Sequence, residues 1–263
     1  MKDVQNMHDP RNIKIDKVGV KNVRYPIVVL DKTKGSQHTV AEISMYVSLP
    51  QEYKGTHMSR FVEILHAHKN VLSMKAFPSI LREMKKKLNA ESAHMEARFP
   101  YFIRKDAPVS GTAGYLEYMC GITGHMDSQN KMKNFTVTVS VPVTTLCPCS
   151  KEISDYGAHN QRGVVTVAVQ FQRFFWIEDL IALIESCSSC EIYSVLKRQD
   201  EKFVTEKAFE NPKFVEDVAR DVAEKLSSEA NITHFVVEAE NFESIHNHSA
   251  YAYLERKNGG GKA

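Results

Sequence analysis

With 263 residues, 43% of them hydrophobic and 25% charged, the chain is long and apolar enough to bury its own core, which excludes a disordered, fibrous or disulfide-dependent class. Its 34 Lys and Arg against 32 Asp and Glu leave a net charge of +2, which argues against a nucleic-acid partner. The segment MKDVQNMHDPRNIKIDK lacks the apolar stretch of a signal peptide, and no run of about 18 apolar residues spans a bilayer, so a cytoplasmic protein without a membrane partner is expected.

In chain order, VGVKNVRYPIVVL (18–30) predicts a first strand. Residues 40–49 alternate, with Ala41, Ile43, Met45, Val47 and Leu49 on one face and Glu42, Ser44, Tyr46 and Ser48 on the other, the pattern of a half-buried antiparallel strand. Thr56 is placed to cap a short helix with Met58, Phe61, Val62 and Leu65 at helical spacing. Pro78 opens a second helix carrying Ile80, Leu81, Met84 and Leu88. Extended stretches at 91–104 and 112–125 follow, then the turn DSQN (127–130) and an alternating strand from Phe135 to Val143. Residues 164–172 repeat that pattern. Ile177, Leu180, Ile181 and Ile184 form a helical stripe, and a later helix, expected to be capped by Asn211 with Pro212 in its first turn, carries Val215, Val218, Val222 and Leu226. Strands at 232–240 and 249–256 come last. Each half reads strand, strand, helix, helix, strand, strand, which predicts an α+β fold of two tandem ββααββ modules, 1–126 and 127–263, with antiparallel sheet and helices on one face. The edges of such a sheet favour pairing with further copies of the chain.

Five cysteines in a reducing compartment are expected as thiols or metal ligands. Cys147 and Cys149 end the strand of 135–143, and Pro148 biases Cys147 towards an extended conformation in which the two side chains point the same way. Three readings stand. Both thiols can pack as small apolar groups. Together with Cys187 and Cys190 they can make a closed, structural four-sulfur zinc site. A thiolate can also combine with His159 and a carboxylate in an open metal site that leaves room for water. In NFESIHNHSAY (241–251), an extended backbone would put His246 and His248 on one face, suited to acid–base work, with Glu243 near enough to orient an imidazole. His57 and Arg60 stand at a helix start, where backbone amides favour an anion.

GTHMSRF (55–61), PVTTLCPCSKEISDYGAHNQRG (142–163), NPKFVEDVAR (211–220) and NFESIHNHSAYA (241–252) together closely resemble GTP cyclohydrolase type IB, in that family's order and spacing. The resemblance implies a tunnelling fold assembled as a homotetramer with active sites at subunit interfaces. It implies conversion of GTP and water to 7,8-dihydroneopterin triphosphate and formate, the first step of tetrahydrofolate biosynthesis. A divalent metal, Zn2+, Mn2+ or Fe2+, is implied on Cys147, His159 and Glu201. Cys149 is implied as a hydrogen-bonding thiol, and His246, His248 and Glu243 as proton-transfer groups. Glu216 is implied as the guanine anchor, and Arg60 with His57 as the triphosphate site. The competing expectations are another tunnelling-fold pterin or deazapurine enzyme, such as a 6-pyruvoyl-tetrahydropterin synthase-like protein, and a non-catalytic zinc-stabilised scaffold.

Overall fold

The computed structural model describes residue 5, residues 7–68 and residues 71–258. Strands β1 (Ile15–Asp31) and β2 (Gly35–Leu49) form the first hairpin. Asp31 Oδ1 closes its turn by accepting the backbone N–H groups of Thr33 at 2.9 Å and Lys34 at 2.7 Å. Gly35 leaves it at φ +82°, a backbone that only glycine adopts without strain. Along β2, Ala41, Ile43 and Met45 are fully buried, so the alternation read in the sequence is the core-facing pattern. The opposite face is partly covered as well, for Ser44 and Ser48 are also buried.

Helices α1 (Ser59–Ala67) and α2 (Phe77–Lys87) follow. Helix α1 buries Phe61, Ile64 and Leu65, whereas Met58 and Val62, expected on that stripe, are exposed. Thr56 is buried but does not cap the helix; the N-cap is Met58, with no side-chain cap bond. Pro78 lies in the first turn of α2 as expected. Then come β3 (Ala93–Asp106), β4 (Ala113–Met126), β5 (Met132–Leu146), α3 (Pro148–Ile153), β6 (Asn160–Phe171), α4 (Ile177–Glu185), β7 (Cys190–Glu191), α5 (Arg198–Glu210), α6 (Val215–Ser228), β8 (Ile232–Phe242) and β9 (Ser249–Lys257). The first half follows the expected order of elements. The second keeps the same frame with α3, β7 and α5 added.

Helix α5 has no apolar stripe, since only Asp200 and Ala208 are buried in it, and that is why periodicity did not reveal it. Its start is set instead by Asp200, whose carboxylate accepts the Lys197 N–H at 2.8 Å. Asn211 ends this helix rather than capping the next one, its side-chain amide donating to the carbonyls of Ser188 and Ser189. Helix α6 begins at Val215, where Asp217 accepts the N–H of the N-cap residue Phe214 at 3.0 Å.

Hydrogen-bonded strands run in the order β1-β2-β3-β4-β5-β6-β8-β9, with β7 on β5. The chain forms two compact units. One takes the chain up to Pro100 with Gly121–Val137, and the other takes Tyr101–Cys120 and the chain from Thr138 onward. The core of the first is built on Met45, Phe61, Ile64, Phe77, Leu81, Met84 and Met95. That of the second is built on Val139, Val141 and Val143 of β5 and Val165, Val167 and Val169 of β6, with Ile181, Ile184, Val218, Val222, Leu226 and Phe235. Among the described residues no helix is long and apolar enough to cross a membrane.

Candidate active site

Pro148 ends β5 by starting α3, so Cys147 becomes the N-cap of that helix, at φ −67° and ψ 116°. The extended conformation expected at Cys147 is present. The side chains of 147 and 149 do not continue one strand face, however, because the chain turns helical between them, and Cys149 is exposed on α3. The sulfur of Cys147 accepts the Ser150 N–H at 3.4 Å. Ser150 Oγ donates to the Cys147 carbonyl at 3.1 Å and accepts the His159 N–H at 3.2 Å. The Cys147 N–H donates to the His159 carbonyl at 3.1 Å. These bonds close the loop of 148–158 on itself and hold Cys147 and His159 side by side across its mouth.

The half-buried His159 ring has Nδ1 3.1 Å from Gln161 Oε1 and 3.3 Å from Ser244 Oγ. Ser244 belongs to the segment joining β8 to β9, which also carries Glu243, His246 and His248. That segment is bent rather than extended, yet the rings of His246 and His248 lie stacked, centroids 5.1 Å apart and planes 13° apart. Both are exposed, and Glu243 is half-buried.

Glu201 stands exposed in the first turn of α5, next to the fully buried Asp200. Asp200 accepts the N–H groups of Val109 at 2.9 Å and Ser110 at 2.8 Å and the Ser110 hydroxyl at 2.6 Å, fastening the head of α5 to the loop between β3 and β4. Burial pushes its acidity down, but hydrogen bonds from Ser110, Lys197 and Val109 outweigh that and hold the carboxyl well below the usual range. Glu216 is exposed in the first turn of α6. In the first unit, His57 and Arg60 line one polar cavity of about 390 Å³, and Arg60 also donates to the Lys87 carbonyl at 3.0 Å.

The structure brings Cys147, His159 and the segment of 243–248 together. Among the described residues it forms no cluster of three His, Cys, Asp or Glu side chains that could hold one ion, and Glu201 therefore does not complete such a cluster. Cys187 and Cys190 are buried thiols whose pKa values burial pushes up, and Cys187 donates to the Leu183 carbonyl at 3.3 Å, which favours the packing role over a four-sulfur site. The donor chemistry of the Cys147–His159 pair does fit a divalent cation: thiolate and imidazole suit zinc, and an added carboxylate suits manganese.

Beside this pair opens a cavity of about 490 Å³, whose lining includes Gln161, Arg162, Tyr193, Phe242 and Ser244. Small-molecule sites span roughly 300–1,000 Å³. One wall is stiffened by Lys105, which bridges Glu185 at 2.7 Å and Glu191 at 2.8 Å, while the Tyr118 hydroxyl donates to Glu185 at 2.7 Å. Burial would raise the pKa of Glu191, but Lys105 and Lys207 prevail and lower it. Sequence reasoning missed Gln161, Ser244 and Asp200. The first is two residues beyond His159 at the start of β6, a spacing that signals a shared strand face. The other two become informative only once distant segments are in contact.

Over 94% of this chain and 95% of that chain, the structure resembles the uricase of Arthrobacter globiformis, with a TM-score of 0.54 at 8% identity. It resembles the urate oxidase of Bacillus sp. TB-90 over 93% of this chain and 100% of that one, with a TM-score of 0.50 at 8% identity. At such identities the likeness defines the fold alone, an α+β protein of the tunnelling-fold class. The sequence defines the family within that class. A family model described as type I GTP cyclohydrolase folE2 matches residues 1–252. A GTP cyclohydrolase FolE2 of Syntrophobacter fumaroxidans is 60% identical over 256 residues, 97% of this chain and 99% of that protein. Another from Syntrophus aciditrophicus is 59% identical over 257 residues, 98% of this chain and 100% of that protein. This chain belongs to the type I GTP cyclohydrolase FolE2 family.

Proposed function

We infer that this chain is a GTP cyclohydrolase of folate biosynthesis, converting GTP and water to 7,8-dihydroneopterin triphosphate and formate. The observation that carries the reading is the closed loop that sets Cys147 beside His159, next to the segment holding His246 and His248. Cys147 and His159 are the metal donors, and Glu201, exposed at the head of α5, is the third once copies of the chain assemble, because among the described residues of one chain it does not join the other two. The metal is divalent, zinc or manganese by the character of these donors. When bound, it supplies Lewis acidity, making water acidic enough at neutral pH to add to guanine C8.

The remaining steps fall to the chain's own groups. Loss of formate, sugar rearrangement and ring closure each need a proton moved. An imidazole has one nitrogen that donates and one that accepts, so His246 and His248 are the donors and acceptors, each worth about 10²–10⁴-fold in rate. Their stacking keeps both rings on one side of the segment, and Glu243 orients them. Glu216 accepts the guanine N1–H and exocyclic amine as a bidentate carboxylate. Arg60 and His57 take the triphosphate, where a guanidinium binds a phosphoryl oxygen pair better than a point charge does. Cys149 serves as a hydrogen-bonding thiol next to the ligand.

The two modules, 1–126 and 127–263, assemble as a cytoplasmic homotetramer with the sites at subunit interfaces, consistent with a strand order that ends at β1 and β9 without closing on itself. Incubating the purified protein with GTP and Mn2+ or Zn2+, then oxidising and reading neopterin fluorescence, tests the activity. Fluorescent neopterin is expected, and none across several divalent metals rejects the reading.

A further inference from the structure

We propose that Gln161 and Ser244 are positioning residues that fix the His159 imidazole with Nδ1 protonated, so that Nε2 is the nitrogen presented to the metal. The proposal rests on the reading of His159 as a metal ligand and says which atom binds and what holds it. The main chain of His159 is pinned at both of its polar groups, the N–H by Ser150 Oγ and the carbonyl by the Cys147 N–H. Only the side-chain torsions remain, and Nδ1 has two oxygen neighbours. Gln161 Oε1 lies 3.1 Å away and an amide oxygen only accepts, so this contact is a hydrogen bond when Nδ1 carries the hydrogen. A neutral imidazole protonated there has its lone pair on Nε2.

Gln161 is buried, 7% exposed, which holds this acceptor in place beside the half-buried ring. Ser244 Oγ at 3.3 Å accepts from the same N–H as a second, longer contact. Ser244 lies two residues before His246. Its contact therefore ties the proton-transfer segment to the imidazole of the ligand, although the two are 85 positions apart in the chain. A ligand held in one tautomer and one ring orientation binds its ion with less ordering cost, and losing such an outer partner typically lowers metal affinity about 10–100-fold.

The test uses metal-free full-length protein titrated with Co2+, read by the thiolate-to-cobalt absorption band, alongside nitrogen-15 NMR of histidine-labelled protein with the His159 signals assigned by their loss in His159→Gln. The wild type is expected to show the band and a protonated His159 Nδ1 before metal is added. Gln161→Leu should bind Co2+ about 10–100-fold more weakly, with far-ultraviolet circular dichroism unchanged. Gln161→Glu, which keeps an acceptor oxygen, should restore the affinity, and Ser244→Ala should give a smaller loss. Gln161→Leu binding as tightly as the wild type, or a bare Nδ1 in the wild-type spectrum, overturns the proposal while leaving His159 a ligand. If Gln161→Leu does not fold, the wild-type spectrum decides alone. No thiolate band in the wild type would remove the ligand reading, and the positioning role with it.

Discussion

Asp200 and Cys147 show how single side chains control the neighbourhood of the site. Asp200 stays charged at full burial because four donors from one loop and one helix turn converge on it, the N–H groups of Val109, Ser110 and Lys197 and the Ser110 hydroxyl, while its neighbour Glu201 is exposed. Asp200→Asn replaces one acceptor oxygen by a donor facing donors, so the head of α5 should loosen and the thermal midpoint should fall, with metal loading reduced if Glu201 is a ligand. Differential scanning calorimetry and metal analysis of the purified variant check both. For Cys147 the expectation is different in kind. Cys147→Ala should abolish turnover of GTP while leaving the far-ultraviolet spectrum intact, since the thiol is only partly buried and its removal opens no deep cavity. Near-normal activity would remove it from the ligand set.

His94 supplies a pH dependence at the same scale. Its ring stacks on His125, centroids 3.9 Å apart. Burial, then the charges of His125 and Lys17, push its pKa from the ordinary 6.5 to about 4. Below 6.5 the unfolded chain takes a proton that the fold refuses, so stability is full above that pH and declines as the pH falls towards about 4. Urea midpoints across this window should drop more for the wild type than for His94→Asn; parallel curves would show that another group is responsible.

Among elements, the turn between β4 and β5 and the helix α6 make contrasting demands. Lys85, buried in α2, donates to the Asn130 side chain at 2.7 Å and the Ser128 carbonyl at 3.2 Å, and also to the Asp127 carbonyl, so a helix residue organises a hairpin turn. Lys85→Met should cost about 1–3 kcal/mol by leaving those acceptors without their donor, measured as a shift in equilibrium unfolding. Helix α6 is held by apolar burial instead. Leu226 is fully buried on its inner stripe, and Leu226→Ala should cost about 2–5 kcal/mol in the same measurement. The stripe of α6 was legible in advance because its apolar residues recur at helical spacing. Helix α5 was not, because it is held at its ends: by Asp200 at the start and by Asn211, whose amide binds carbonyls 22 and 23 residues earlier in the chain, at the end. Capping residues announce a boundary but not which of two adjacent helices it belongs to, which is why Asn211 read as a beginning.

For the whole molecule, the strand order ends at β1 and β9, and the proposed tetramer is the property to measure. Sedimentation velocity should give a tetramer, and a monomer that turns over GTP at full rate would separate catalysis from assembly. What the sequence determined by itself was local and repetitive: strand alternation, helical stripes, the order of elements, and motif blocks specific enough to assign the family. Those signals are written in spacings of two to four residues, which backbone geometry translates directly into faces. Only the tertiary structure decided that Cys147 meets His159 over a closed loop, that Gln161 and Ser244 share one imidazole nitrogen, and that Asp200 reaches back 90 residues to Ser110. Contacts between distant segments depend on how the elements pack, and no periodicity along the chain encodes which side chains that packing will bring together.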